Sequence, residues 1–453
     1  MIKRKLAGIF LATTMIMGTL AGCGDSGNSS TAAKVNTDES AQGKVLNIYC
    51  WNTEFQDRFK YFEKSGKLPS DVKVNFVVTP NENNALDAAL LKQNDAPADE
   101  KIDIFLVEAD YALKYVNSDY TLDVINDIGL TKDDVADQYQ YTKDIVTDSN
   151  GNQKGTTWQA TPGLFAYRRS IAKDVLGTDD PDKVQEALST WDKFNAVAEK
   201  AAAKGYKMLS GYDDSYRVFS NNVSAPWVDS NNKIVIDPNI MKWVDQTKTF
   251  TDKGYNNKTS LWDTTWASDQ GPKGKVFGFF YSTWGINFTL LGNSLEKPVA
   301  EGGKEEVGNG IYGDYAVCQG PQSYYWGGTW LCAAAGTDNP NLIKEIMKTL
   351  TCDKTTEVQI TKDTQDYTNT ISGMNELANS DFKSDFLGGQ NHIKLFAQAA
   401  PKINMKNISA YDQGLNEEFQ KAMKDYFDGH VTKEQALDNF YDKAHVKYPN
   451  LSK

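Results

Sequence analysis

The sequence predicts an α/β protein of two domains, and three observations carry that prediction. Strand and helix patterns alternate between Lys44 and Val107. Beyond Gly43 the chain runs to roughly 410 residues, more than one hydrophobic core usually organises. The longest later apolar stretches, such as Val276 to Tyr281 and Trp330 to Ala335, have the length of strands rather than membrane spans.

The chain opens with Lys3, Arg4 and Lys5, then an apolar run from Leu6 to Leu20 that Gly8, Thr13, Thr14 and Gly18 interrupt. It closes on Leu20-Ala21-Gly22-Cys23, which reads as an export signal (residues 1–22) ending in a lipobox. Small Ala21 and Gly22 let a peptidase reach the backbone, and the Cys23 thiol takes a diacylglycerol. An ordinary signal or anchor with an incidental Cys23 is the alternative. Residues 23–43 are too polar to bury a core and are expected to form a flexible tether, about 25 Å long on the square-root rule. The expected location is extracytoplasmic, lipid-anchored to the outer face of the cell membrane, with the membrane touched through the anchor only.

Lys44 to Cys50 is a strand candidate. Phe55, Phe59 and Phe62 follow at helical spacing, and Val72 to Val78 alternates as a second strand. Asn81 is placed to cap a helix carrying Leu86, Ala89 and Leu90, and Ile102 to Val107 is a third strand with Asp103 inside it. This β-α-β-α-β order predicts a parallel sheet flanked by helices, whose ligands bind beyond the carboxyl ends of the strands. Those ends are Trp51-Asn52-Thr53-Glu54 and Glu108-Ala109-Asp110-Tyr111, each an aromatic beside a carboxylate.

Two turn signals come next, Asp148-Ser149-Asn150-Gly151-Asn152 and Asp229-Ser230-Asn231-Asn232. The first resembles half of a calcium loop, but its glycine comes too early and Gln159 stands where a carboxylate is required, so a tight turn is expected. Helices then dominate. Thr190 and Asp192 start one with Trp191, Phe194, Val197 and Ala198; Asn239 starts another with Ile240, Trp243, Val244 and Phe250, closed by Lys253-Gly254. Trp191 and Trp243 fall at core spacing. Near the C-terminus Leu415, Phe419, Met423 and Tyr426 line one face, Gly429 breaks the helix, and Thr432 opens another that carries Ala436, Leu437 and Phe440. This last pair is expected to close the fold without touching ligand.

Composition narrows the chemistry. Sixty Asp and Glu against 48 Lys and Arg leave a net charge of -12, which argues against a nucleic-acid partner. The first turn holds no Gly-x-Gly-x-x-Gly and the chain no Walker lysine, so no dinucleotide or nucleoside triphosphate, and no other cofactor, is expected. Cys50, Cys318, Cys332 and Cys352 are widely spaced without a C-x-x-C pair, and His392, His430 and His445 have no clamping spacing; no metal site is expected. The export route permits a disulfide, but buried free thiols are the preferred reading.

The lipobox and tether, Val45-Leu46-Asn47-Ile48-Tyr49-Cys50-Trp51, Thr161-Pro162-Gly163-Leu164-Phe165-Ala166-Tyr167-Arg168-Arg169, Gly274 to Trp284, Gly327-Gly328-Thr329-Trp330 and the ending from Gly429 to Leu437 occur in a telling order. In that order the chain resembles the extracellular solute-binding proteins of the carbohydrate-uptake type, related to maltose-binding protein, that feed ABC importers. The resemblance implies a non-catalytic monomer with a two-lobed clamp, each lobe a mixed sheet flanked by helices, joined by a multi-strand hinge. It implies an oligosaccharide ligand in the cleft and an ABC transporter permease as partner. By analogy lobe one covers residues 44–160 plus 285–352 and lobe two 161–284 plus 353–453, with the hinge near Gln159 to Pro162, Trp284 to Asn287 and Cys352.

Residue chemistry agrees with a sugar: a pyranose offers a C–H face that stacks on an aromatic ring and a hydroxyl rim that needs acceptors and donors. The expected ligand contacts are Trp51, Asn52 and Glu54 after the first strand, and Glu108 and Asp110 after the third. Tyr212, Asp213 and Asp214 follow the strand-like Lys207 to Ser210. Trp227, Trp262, Trp266 and Trp284 belong to a group that no helix core explains, as do Trp326 and Trp330. Gly328 brings backbone close to the cleft, and Tyr367 and Asn369 occupy a late loop that lacks the family's proline. Two other readings stay open: a surface glycoside hydrolase drawing a pair from Glu54, Glu108, Asp110, Asp213 and Asp214, and a binder of a polyamine or peptide.

Overall fold

A computed structural model describes residues 35–79 and 85–453. The export signal, Cys23, the start of the tether and the Asn81 cap lie outside the described residues.

The first sheet has the order β2-β1-β3-β7. Its strands are β1 (Val45–Cys50), β2 (Lys73–Val78), β3 (Ile104–Glu108) and β7 (Thr329–Ala333). β1 pairs in parallel with β2 and β3, as the alternating pattern predicts, whereas β7 returns from far along the chain to pair antiparallel with β3. The helix Glu54–Lys64 buries Phe55, Phe59 and Phe62 against this sheet, a one-sided stripe set by their spacing. Asp103 fastens three segments at its edge, accepting from the Asn47 amide at 2.7 Å, Asn339 Nδ2 at 3.1 Å and the Thr337 hydroxyl. Burial pushes its carboxyl up to about 6.

The second sheet has the order β5-β4-β6, all antiparallel. It comprises β4 (Gly163–Arg168), β5 (Gly278–Ser282) and β6 (Tyr315–Cys318), every residue of them buried. The strand-like Lys207 to Ser210 contributes only a parallel bridge from Lys207 to Val276 at this sheet's edge. Around it pack Trp191–Ala203, capped by Thr190, and Pro238–Asp252, capped by Asp237 rather than by Asn239. Asp412–Phe427 and Lys433–Lys447 pack on the latter, the second opened by a Thr432/Gln435 capping box. Trp243 is fully buried there and Trp191 lies stacked on Phe219 with centroids 4.3 Å apart. Both turn signals form, closed by the bridges Thr147–Gln153 and Val228–Ile234.

The chain pieces depart from the boundaries drawn by analogy. β6, within 285–352, hydrogen-bonds to β4 in the second sheet. The helix Lys354–Thr364, beyond Cys352, packs beside Glu54–Lys64 of the first, where Tyr61 Oη meets Asp363 at 2.7 Å. The segments that run between the sheets instead meet through bridges from Gln159 to Thr368 and from Pro162 to Tyr325. The described cysteines are free, and burial pushes the thiols of Cys50, Cys318 and Cys352 up to about 12. Among the described residues no helix is long and apolar enough to cross a membrane.

Candidate ligand-binding site

Polar groups gather where β1 and β3 end. After β1, Asn52 Oδ1 accepts the Glu54 amide at 3.0 Å, which turns the chain into the helix and points it away from the strand axis. The Glu54 carboxylate then takes Arg58 at 2.8 Å and Gln159 Nε2 at 3.0 Å. The same Gln159 amide donates to Asp366 Oδ2 at 2.9 Å, and Asp366 Oδ1 accepts from Thr283, the residue before Trp284. One polar chain thus runs from the first sheet through the crossing segments to the second. Burial raises the Glu54 carboxyl above its usual range; Arg58 opposes that shift and Asp366 adds to it.

After β3, Glu108 accepts the Asp110 amide at 2.7 Å, and the Ala109 amide donates to Gly328 O at 3.2 Å. Gly327 and Gly328 have φ of 72° and 105°, a region other residues avoid. A Cβ on Gly327 would meet Trp284 Nε1 at 2.9 Å, and one on Gly328 would meet the Trp330 ring at 3.0 Å. These two positions therefore need glycine both for conformation and for space. They carry the backbone directly from the tryptophans to the end of β3.

The tryptophans form a wall. Trp284 donates its indole N–H to Trp326 O at 2.8 Å and stands edge-on to the Trp326 ring. Trp262 stacks on Trp284 with centroids 6.1 Å apart at 22°, and it is 44% exposed, with φ of 72°. A large residue in the left-handed region costs about 1–3 kcal/mol, and the neighbouring structure has to hold it there. Asp213 does so, accepting the Leu261 amide at 3.3 Å. Its own carboxyl is pushed up to about 6 by burial, with Asp214 adding to the shift.

The predicted residues divide. Trp51, Asn52, Glu54, Glu108, Trp262, Trp284 and Gly328 fall at this convergence, with Asp213 supporting it from behind. Trp51 is half-buried, and its indole N–H meets no acceptor among the described residues. The others have different work. Asp214 is a buried staple that takes the Ser210 and Gly211 amides and the indole N–H of buried Trp266. Tyr212 packs on Phe427 and hydrogen-bonds Asp428; Trp227 packs on Phe419 and Phe440 and donates to Asn416 at 2.9 Å. Trp330 is fully buried, its N–H on Thr142 O at 2.9 Å. Tyr367 and Asn369 lie in the joint, where Tyr367 meets the Tyr139 hydroxyl and Asn369 donates to Thr157 O at 3.1 Å. Tyr212, Asp214, Trp227, Trp266, Trp330, Tyr367 and Asn369 are thus packing and hydrogen-bonding residues in this structure, because their polar atoms are already taken and their rings are enclosed. Asp110 has both carboxylate oxygens on Arg217.

Sequence reasoning missed Arg217 and Asp366, and it left Trp326 and Gln159 without a ligand role. Arg217 had a signal: it is one of five arginines in a lysine-rich chain. Arginine is the residue for bidentate pairing with a carboxylate.

A family model described as bacterial extracellular solute-binding protein matches residues 57–386, well over half of the chain. No curated protein matches by sequence. Among solved structures, an extracellular solute-binding protein of family 1 superposes with a TM-score of 0.73 at 16% identity, covering 89% of this chain and 99% of that one. The ABC transporter associated binding protein from B. animalis subsp. lactis Bl-04, in complex with beta-1,6-galactobiose, reaches 0.65 at 16% identity over 90% and 100%. The galacto-N-biose/lacto-N-biose I-binding protein from Bifidobacterium longum, in complex with lacto-N-biose, reaches 0.65 at 15% over 90% and 97%. At these identities the likeness is one of fold.

Proposed function

The chain belongs to the bacterial extracellular solute-binding proteins, and from that membership we propose that it captures an oligosaccharide between two lobes and delivers it to the permease of an ABC importer. Members of this family bind rather than catalyse, so the carboxylates of the cleft are hydrogen-bond acceptors and not a hydrolytic pair. The lipobox at Cys23 makes it a cell-surface lipoprotein held beside that permease.

One observation supports the sugar reading above the rest: half-exposed Trp262 stacked on Trp284, held in a costly backbone conformation. A stacked indole pair fits the C–H faces of pyranose rings, and Glu54, Glu108 and Asn52 fit the hydroxyls. Several aromatic surfaces in a row suit more than one sugar unit. The neighbouring folds whose complexes contain disaccharides add weight to the same class.

In operation, ligand contacts on both walls favour the closed clamp, and the closed clamp is what the permease recognises. A micromolar ligand corresponds to about 8 kcal/mol, within reach of two stacked rings and several charged hydrogen bonds. Thermal-shift screening against mono- and oligosaccharides, amines and short peptides, followed by calorimetry, tests the proposal. A ligand at 100 times its dissociation constant adds about 2.7 kcal/mol of stability. An oligosaccharide hit is expected; binding of amines or peptides with all sugars silent would overturn the carbohydrate assignment.

A further inference from the structure

Arg217 lies in the short helix Tyr216–Ser220, in the part of the molecule that packs on the C-terminal helices. Asp110 lies in the loop after β3 of the other sheet. Between them runs a two-pronged ion pair: Arg217 Nη1 donates to Asp110 Oδ1 at 2.7 Å and Nη2 donates to Oδ2. The side chains are 22% and 19% exposed, so solvent screens the pair only in part.

Both ends are anchored. Asp110 is held by its amide on Glu108, and the adjacent Ala109 amide by Gly328 O. Arg217 is flanked by Tyr216, whose hydroxyl donates to Asn416, and the next turn ends at Asn221, which accepts the Tyr325 amide at 2.7 Å. The pair lines a cavity together with Trp227, Tyr325 and Asp412. Burial pushes the Asp412 carboxyl up to about 7, Asp110 adds to that shift and Arg217 opposes it. Bringing the β3 loop against this helix therefore moves one carboxylate towards another in a sheltered space, and the Arg217 guanidinium, paired with Asp110, opposes their repulsion.

We propose that Arg217 and Asp110 form a latch between the lobes, which draws the clamp shut through a contact of its own and takes Asp110 out of the set of ligand acceptors. The inference rests on the two-lobe reading given above but not on the ligand being a sugar. It makes Arg217 a positioning residue. Ligand hydroxyls are left to Glu54, Glu108 and Asn52, and the open-to-closed balance is set partly by the protein alone.

Small-angle X-ray scattering of the full protein without added ligand tests it, using Arg217→Gln, Asp110→Asn and the charge swap Asp110→Arg with Arg217→Asp. Losing a sheltered charged hydrogen bond of this kind shifts a two-state balance about tenfold or more. Both single variants are therefore expected to scatter as a more open particle than the wild type, and the swap to recover the compact form. Equal radii of gyration for wild type and a single variant of native circular dichroism would overturn the latch, as would a folded swap that stays open. Should Arg217→Gln fail to fold, Asp110→Asn, on a partly exposed loop, carries the comparison. Because no ligand enters the measurement, its failure is distinct from a failure of the sugar assignment, which the ligand screen alone decides.

Discussion

The loops after β1 and β3 present Trp51, Asn52, Glu54, Glu108 and Asp110 from two short stretches of neighbouring parallel strands. The aromatic wall instead gathers Trp262, Trp284 and Trp326 from three segments far apart in the chain. The first wall follows from topology: adjacent parallel strands must end at the same edge, so whatever follows them meets there. The second follows from packing, since a tryptophan becomes part of a surface only when other segments fail to cover it. Trp262 and Trp330 show how wide that difference is, one 44% exposed beside the cleft and the other wholly enclosed behind Gly328.

The largest effect should come from Trp330. Replacing it by alanine removes a fully buried ring and its hydrogen bond to Thr142, and is expected to cost about 3–5 kcal/mol in chemical denaturation. Trp262→Ala should leave the denaturation midpoint close to wild type. Equal losses from the two would erase the distinction between core and wall.

Ligand affinity separates the walls next. Trp284→Ala is expected to weaken oligosaccharide binding by at least tenfold, about 1.4 kcal/mol, in a calorimetric titration, because it removes the ring on which Trp262 stacks. Glu108→Gln keeps the shape and one acceptor, and should cost less than Trp284→Ala. If the glutamine variant proved the weaker binder, the carboxylate wall would dominate recognition and the aromatic wall would only guide it.

A smaller effect tests the strain at Trp262. Its φ of 72° suits glycine, so Trp262→Gly should be more stable than Trp262→Ala by roughly 1 kcal/mol, while both lose affinity. A glycine variant no more stable than the alanine one would show that the left-handed conformation costs nothing there.

Much of this was legible in the sequence where local pattern decides. The first β-α-β-α-β unit, the Phe55/Phe59/Phe62 stripe, both turns and the helix start at Thr432 follow from spacing and residue type. The placement of Trp51, Glu54 and Glu108 followed from strand order. What stayed hidden depends on neighbours remote in sequence. Tyr367 and Asn369 sit in a polar loop, yet Tyr139 and the Thr157 carbonyl enclose them. β6 joins β4, and nothing local to Tyr315–Cys318 says which sheet it enters. Asp110 was expected to contact ligand, but its carboxylate is paired with Arg217, on a helix that no motif connects to it.

The adjacent acids Asp213 and Asp214 give the subtlest test, because both lie behind the aromatic wall. Asp213 has its carboxyl pushed up to about 6 from an ordinary value near 4, chiefly by burial. A group raised in the folded state stabilises that state fully when protonated, so its contribution is present below about pH 4 and lost as pH rises through about 6. Asp213→Asn should therefore flatten the fall in stability across that window and leave stability at its acid end nearly unchanged. The local effect runs the other way. Ionised Asp213 is the stronger acceptor for the Leu261 amide, so the strap that presents Trp262 should tighten as pH rises through the same window, just as global stability declines. Tryptophan fluorescence followed from pH 4 to 7 should show a step near 6 in the wild type and none in Asp213→Asn. A step that persists in the variant would assign it to a group other than the one holding the aromatic wall in place.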